Sequence, residues 1–224
     1  MPTTGLPYGT VPRLERPGPL RDRVYGALLE LITTRALQPG QHLVESELAG
    51  HLGVSRQPVR EALQRLNTEG WVDLRPAQGA FVHEPTDEEA DQLLTVRTLL
   101  EAEAARLAAA NAGKAGVAVL EELCAQGESA VAADDVDAAV ALNARLHATI
   151  MELAGNAVLA ELAGQVDRRV RWYYTPIARQ RGRQSWIEHR ELIAAIADRD
   201  EQRATAVMRQ HTEHTRKMYH DREK

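Results

Sequence analysis

The stretch ESELAGHLGVSRQPVREALQRLNTEG, residues 45–70, decides how the first part of the chain is read. Leu48 and Leu52 stand one helical turn apart and predict a short helix from Glu45 to Leu52, which Gly53 ends. Ser55 is a good N-cap for a second helix, and Pro58 is tolerated in its first turn. Val59, Leu63 and Leu66 share one face to about Glu69, and Gly70 stands where helices commonly end in a left-handed residue. Two short helices joined through Gly53, Val54 and Ser55 have helix-turn-helix spacing. In that arrangement the start of the second helix faces base edges in the major groove. The residues there are Ser55, Arg56, Gln57 and Arg60. Arginine can donate two hydrogen bonds to guanine O6 and N7, and glutamine can pair with adenine. Ser55 and the N–H groups of the first turn suit a phosphate oxygen. Spacing alone leaves a second reading open, in which Arg56 and Arg60 are solvated surface residues on one helix face.

Working outward, Val24, Leu28, Leu29, Leu31 and Ile32 predict a helix from Leu20 to about Leu37, stopped by the turn residues 38–41. Residues 1–17 hold four prolines and two glycines and read as a flexible tail. On the other side, residues 71–75 alternate apolar and polar as a half-buried strand does. Residues 76–79 form a turn and 80–83 a second strand, a hairpin with Gly79 at its tip. A winged helix places such a tip against the DNA backbone or minor groove. Residues 18–84 are therefore expected to form a winged helix-turn-helix DNA-binding domain of three helices plus a hairpin.

From Thr86 the pattern changes to long helices. Thr86 and Glu89 have capping-box spacing. Leu93, Leu94, Leu99, Leu100 and Leu107 carry a helix to about Asn111, and further helices are expected at 114–132, 135–154, 156–173, 184–198 and 201–221. Residues 85–224 thus read as an all-α bundle of six to seven helices, and the whole chain as mainly α.

The 224 residues, 44% hydrophobic and 26% charged, fit an ordinary globular chain of two domains. No apolar run approaches the ~20 residues that cross a bilayer, so no membrane association is expected. Residues 1–20 lack the apolar core of a secretory signal. A single cysteine, Cys124, excludes an internal disulfide and points to the reducing cytoplasm. The net charge of −5 argues, taken whole, against nucleic acid. Split near residue 84 it reads differently. Residues 1–84 hold 9 basic and 9 acidic residues, and residues 85–224 hold 18 and 23. Any DNA binding must then come from a few well-placed arginines on a neutral head.

In the second domain Asn143 and His147 stand one turn apart on an apolar helix face, where a polar pair needs partners. His189 lies among Ile187, Leu192 and Ile193, and His211 three residues after Met208. Three imidazoles and an amide oxygen from three helices could surround one divalent ion, with open positions left for water or a carboxylate. Three unrelated histidines fit the spacing as well. Arg97, four residues before Glu101, is either half of a helical ion pair or a clamp for a ligand carboxylate. Arg145 and Arg168 are further effector-binding candidates.

Two resemblances add to these readings. Residues 20–82 resemble the DNA-binding domain of the GntR family of bacterial transcription regulators. The matching pieces are LQPG at 37–40, ELA at 47–49, LGVSRQPVREAL at 52–63 and EGWV at 69–72, through to Gly79. The resemblance implies that Ser46, Arg56, Arg60 and Gly79 contact DNA, and that the protein binds a short palindromic double-stranded DNA operator as a homodimer. Residues 88–217 resemble the FCD ligand-binding domain of the FadR-type branch. They match through Arg97 with Glu101, Asn143 with His147, the segment Glu188–Ile196, and Met208 with His211. That resemblance implies a metal held by Asn143, His147, His189 and His211, zinc or nickel before other ions, and a small carboxylate effector. Many members carry Asp where this chain has Asn143, and a neutral amide attracts a cation less. The expected function is a ligand-responsive transcription regulator, a repressor, rather than an enzyme. The alternatives are a constitutive DNA-binding dimer without effector and, more remotely, a metal-dependent hydrolase.

Overall fold

The structure is a computed structural model that describes residues 20–221. The tail expected at residues 1–17 lies outside them. Two compact units are present: residues 20–30 with Gly40–His83, and Leu31–Pro39 with residues 84–221. The end of the first helix and the turn after it therefore group with the second unit.

In the first unit, helices α1 (Leu20–Thr33), α2 (Glu45–Leu52) and α3 (Arg56–Thr68) are joined by three short strands, β1 (His42–Leu43), β2 (Val72–Arg75) and β3 (Gly79–Val82). Its buried residues include Leu28, Val59, Leu63, Leu66, Trp71 and Val82. These are the positions at which the helical and alternating periods put apolar side chains on one side. Gly53 ends α2 at φ 65°, which a glycine adopts without steric cost, and its N–H bonds back to Ala49 and Gly50. Ser55 does stand at the N-cap of α3, but its side chain makes no capping hydrogen bond.

The hairpin was expected; the third strand was not. β3 pairs antiparallel with both β1 and β2, in the order β1-β3-β2. His42 faces Phe81 and Leu43 faces Ala80. Two residues are too few to show an alternating period, so β1 is defined by its partner rather than by its own sequence. Gly79 opens β3 opposite Arg75, after a turn in which Ala77 takes the left-handed φ of 59°. It is thus the first residue of a strand and not the apex of the tip.

The second unit is all-helical: α4 (Asp87–Asn111), α5 (Lys114–Ala132), α6 (Val136–Leu153), α7 (Ala157–Tyr174), a 3₁₀ turn (Thr175–Ile177), α8 (Ala178–Ala197) and α9 (Glu201–Asp221). Thr86 and Glu89 form the reciprocal capping box at the start of α4. Ala104, Ala105, Ala108 and Ala109 are fully buried along α4, which touches α6, α7, α8 and α9. Small side chains allow this central helix such close neighbours. Gly127 of α5 does the same for α8, since a Cβ there would lie 2.1 Å from the Trp186 ring.

The penultimate helix begins earlier than expected, at Ala178 instead of 184, with a break in the backbone at Gly182. Residues 178–184 are mostly polar, so an apolar period does not show there. Burial of Arg181 against Glu188 explains why the segment is nonetheless helical and inward.

Candidate functional site

The residues expected to contact DNA lie on the first unit. Ser46 is in the first turn of α2, Arg56 opens α3, Arg60 follows one turn later, and Gly79 opens β3. These four residues line one open cleft of about 460 Å³, together with Glu45 and Arg75. Ser55 and Gln57 are exposed near it and are not among the lining residues. Gln57 donates to Glu61 at 2.9 Å.

Glu45 organises the arginines. Its carboxylate accepts from Arg60 Nε at 2.9 Å and Nη2 at 2.8 Å, and from Arg56 Nη2 at 3.3 Å. The Arg60 hydrogen bonds, with Arg56 nearby, hold its carboxyl below the usual carboxylate range despite partial desolvation. At the foot of the wing, His42 stacks on Phe81 with centroids 4.7 Å apart, and the Arg75 guanidinium lies 4.3 Å from the Phe81 ring centre. Gly79 has φ 102°, and a Cβ there would meet His42 Nε2 at 2.9 Å. The backbone therefore favours glycine at this position, and any larger residue would also have to displace the exposed His42 ring. Glu45 and Arg75 escaped the sequence reading, because partners in a cleft formed by three elements have no fixed spacing.

The second candidate lies in the helical unit. Asn143 and His147 come from α6, His189 from α8 and His211 from α9, all buried. One ring nitrogen from each histidine lies within 4.8 Å of those of the other two. His147 Nε2 and His189 Nε2 are 3.3 Å apart. The Asn143 Oδ1 atom is buried with no hydrogen-bond partner.

The surroundings prepare these rings as ligands. His211 Nδ1 is 2.9 Å from Glu188 Oε2 and 3.2 Å from Arg181 Nη2. Arg181 can only donate, so it competes with Nδ1 for the carboxylate rather than sharing its proton. A proton on Nδ1 shared with Glu188 leaves the Nε2 lone pair for an ion. His147 Nδ1 lies 3.1 Å from Glu101 Oε2, a close contact whose geometry falls short of a good hydrogen bond. Burial keeps both other rings neutral: His189 is pushed well below the usual histidine value and His211 down to about 3. Neutral imidazole is the form that binds metal. These residues therefore fit a divalent ion, with Asn143 as an additional oxygen donor.

Two arginine–glutamate pairs flank the triad. Arg97 Nε donates to Glu101 Oε1 at 2.9 Å, and Arg181 makes a two-point pair with Glu188. Burial raises the pKa of both carboxylates, and Arg97 with His147, or His211 with Arg181 and His214, more than offsets it. Both glutamates stay ionised. The helical ion pair of Arg97 thus exists, yet its Nη1 is buried without a hydrogen-bond partner. Arg97, Glu101 and His147 line a cavity of about 220 Å³ whose other walls include Met151, Asp167 and Val170. Desolvation and the Glu101 charge raise the pKa of Asp167. Arg145 and Arg168 are exposed and do not line this cavity. Glu188 does not bond the ring of its neighbour His189, and serves His211 and His214 instead.

A winged helix-turn-helix unit joined to a helical unit with a buried histidine triad is the plan of a two-part DNA-binding protein. The comparisons give it a family. Residues 20–82 match the bacterial regulatory proteins of the gntR family, and residues 92–214 match the FCD domain. The Nta operon transcriptional regulator of Aminobacter aminovorans is 32% identical over 176 residues, 78% of this chain and 82% of that protein. Among solved structures, Escherichia coli McbR/YncC superposes with a TM-score of 0.77 at 24% identity, over 92% of this chain and 99% of the other. A GntR regulator from Rhodococcus sp. RHA1 gives 0.75 at 23% identity, over 90% and 97%. The two structures support the fold. The chain belongs to the GntR family of transcription regulators and carries an FCD domain. It is a DNA-binding regulator and not an enzyme. Among the described residues no helix is long and apolar enough to cross a membrane.

Proposed function

We propose that the protein is a cytoplasmic, ligand-responsive repressor that binds a short palindromic operator as a homodimer. Residues 18–84 form its DNA-binding domain and residues 85–224 its effector-binding and dimerisation domain. Ser46, Arg56, Arg60 and Gly79 contact DNA from one cleft, with Ser55 and Gln57 at the start of α3 beside them. Two heads read two half-sites about one helical turn apart. A small organic acid seated in the cavity of the helical unit shifts their placement, and to do so must bind the two states with different affinity.

The observation that carries this reading is the wall of that cavity, shared by the buried Arg97 and His147. The open Nη1 of Arg97 suits one carboxylate oxygen. Asn143, His147, His189 and His211 would hold the ion, zinc or nickel. When bound, the ion supplies a Lewis acid that a carboxylate can coordinate. Arg145 and Arg168, being exposed, take no part in the clamp.

The test is a thermal-shift panel of small carboxylates on the full chain, with and without added metal, repeated with operator DNA. One acid should raise Tm, because a ligand that binds the native state stabilises it, and the same acid should weaken operator binding. Arg97→Met should abolish the shift. If no acid shifts Tm under any condition, the protein is a constitutive DNA-binding dimer. Metal content of protein purified without added metal, compared with that of the His147→Ala, His189→Ala and His211→Ala variants, tests the ligand set.

A further inference from the structure

Among the described residues Glu45 is the one acidic residue that meets both Arg56 and Arg60, and DNA contact gives it no evident task. A half-buried carboxylate in a cleft proposed for phosphate and base edges repels the backbone, so its presence needs a reason. The geometry of its partner supplies one. A guanidinium has two forked edges. Glu45 occupies the edge formed by Nε and Nη2 of Arg60, at 2.9 and 2.8 Å. The edge formed by Nη1 and Nη2 remains, and its two N–H groups match guanine O6 and N7. Arg56 Nη2 reaches the same carboxylate at 3.3 Å.

We propose that Glu45 is a positioning residue for base reading. It holds Arg60 with its outer edge presented to the base pair and ties Arg56 to the same anchor. The long Arg60 side chain is thereby ordered before DNA arrives, which lowers the entropic cost of a specific contact. The carboxylate also lowers attraction to phosphate at every sequence. Both effects raise the ratio of specific to non-specific binding. The inference rests on the assignment of Arg60 to base reading in the proposed function.

The experiment uses the full chain. A binding site is selected from a randomised duplex library, and each of its base pairs is then substituted in turn at one salt concentration. Arg60→Ala marks the base pair that Arg60 reads. Glu45→Gln, which retains size and loses charge, should lower the preference at that same base pair by about tenfold, leave preference elsewhere intact and raise affinity for random duplex. In an Arg60→Ala background Glu45→Gln should cause no further loss there. Arg60→Lys keeps the charge but has no fork, so it should also erase the effect of Glu45→Gln. An unchanged preference in Glu45→Gln, or an equal loss at every base pair, overturns the proposal while leaving Arg60 as a reader. If Arg60→Ala changes no base preference, the assignment of Arg60 falls and the role of Glu45 with it.

Discussion

In the winged-helix unit Arg56 and Arg60 hold Glu45 with side chains 64% and 49% exposed; in the helical unit Arg97 and Arg181 hold Glu101 and Glu188 with side chains 2% and 1% exposed. The same pair of groups does different work in the two places. Exposed ion pairs are screened and contribute little to stability, so the arginines of this unit keep donors open to water while they hold the carboxylate. Buried pairs cannot be exchanged, because a charge left alone in a low dielectric is very unfavourable. The winged-helix unit keeps its charges in contact with water, and the helical unit sets its own against two imidazoles, Glu188 on His211 and Glu101 beside His147.

Acid should separate the two halves most. The carboxyls of Glu101 and Glu188 titrate below their unfolded values, so the stability they contribute is present above about pH 4.5 and is lost as pH falls from there. His189 and His211 are lowered from 6.5, so the unfolded state takes up protons before the folded one and stability falls below about pH 6.5. Asp167, raised, works the other way, one group against four. Thermal unfolding of metal-free protein should therefore show a Tm that drops steadily from pH 7 to pH 4. A flat Tm over that interval would contradict the buried-charge picture.

Next in size is Arg181→Met, which leaves Glu188 buried with its guanidinium partner gone. It should cost about 3–5 kcal/mol, read as a denaturation midpoint shift at unchanged slope. A cost under about 1 kcal/mol would mean that Glu188 is solvated or satisfied by His211 and His214 alone.

A pair of glycine variants sharpens the contrast further. Gly127→Ala meets the Trp186 ring and should destabilise by about 1–3 kcal/mol. Gly50→Ala, inside α2 with nothing near its Cβ position, should stabilise by about 0.5–1 kcal/mol. Chemical denaturation of both variants checks the sign of each.

The smallest stability effect belongs to the head's arginines. Arg56→Ala should leave Tm within about 2 °C of the parent while weakening binding to the selected site. A large Tm loss would show that Arg56 is structural, contrary to its place on the reading face.

Much of this was legible before the fold. Helices at 45–52, 56–68 and 87–111 have local causes: an apolar period, a left-handed glycine after Leu52, a capping box at Thr86. The four residues proposed as ligands could be listed as candidates, but spacing alone left their convergence undecided, since nothing in the separation of 147, 189 and 211 fixes how α6, α8 and α9 meet. The roles of Glu101 and Glu188 were not legible. Each touches a histidine on another helix, and a local pattern reports only partners within a turn or two. β1 and residues 178–183 were missed for the same reason, one element defined by its strand partner and the other by a buried ion pair.

The sequence by itself determined the order of the elements, the two-part plan and the residue types at the start of α3, because these follow from periods of 2 and 3.6 and from turn chemistry. Only the tertiary structure decided which charges lie in water and which do not. Burial depends on where distant helices cross, and it changes the energy of one arginine–glutamate pair severalfold. That difference separates the solvated pair at Glu45 from the buried pairs beside His147 and His211.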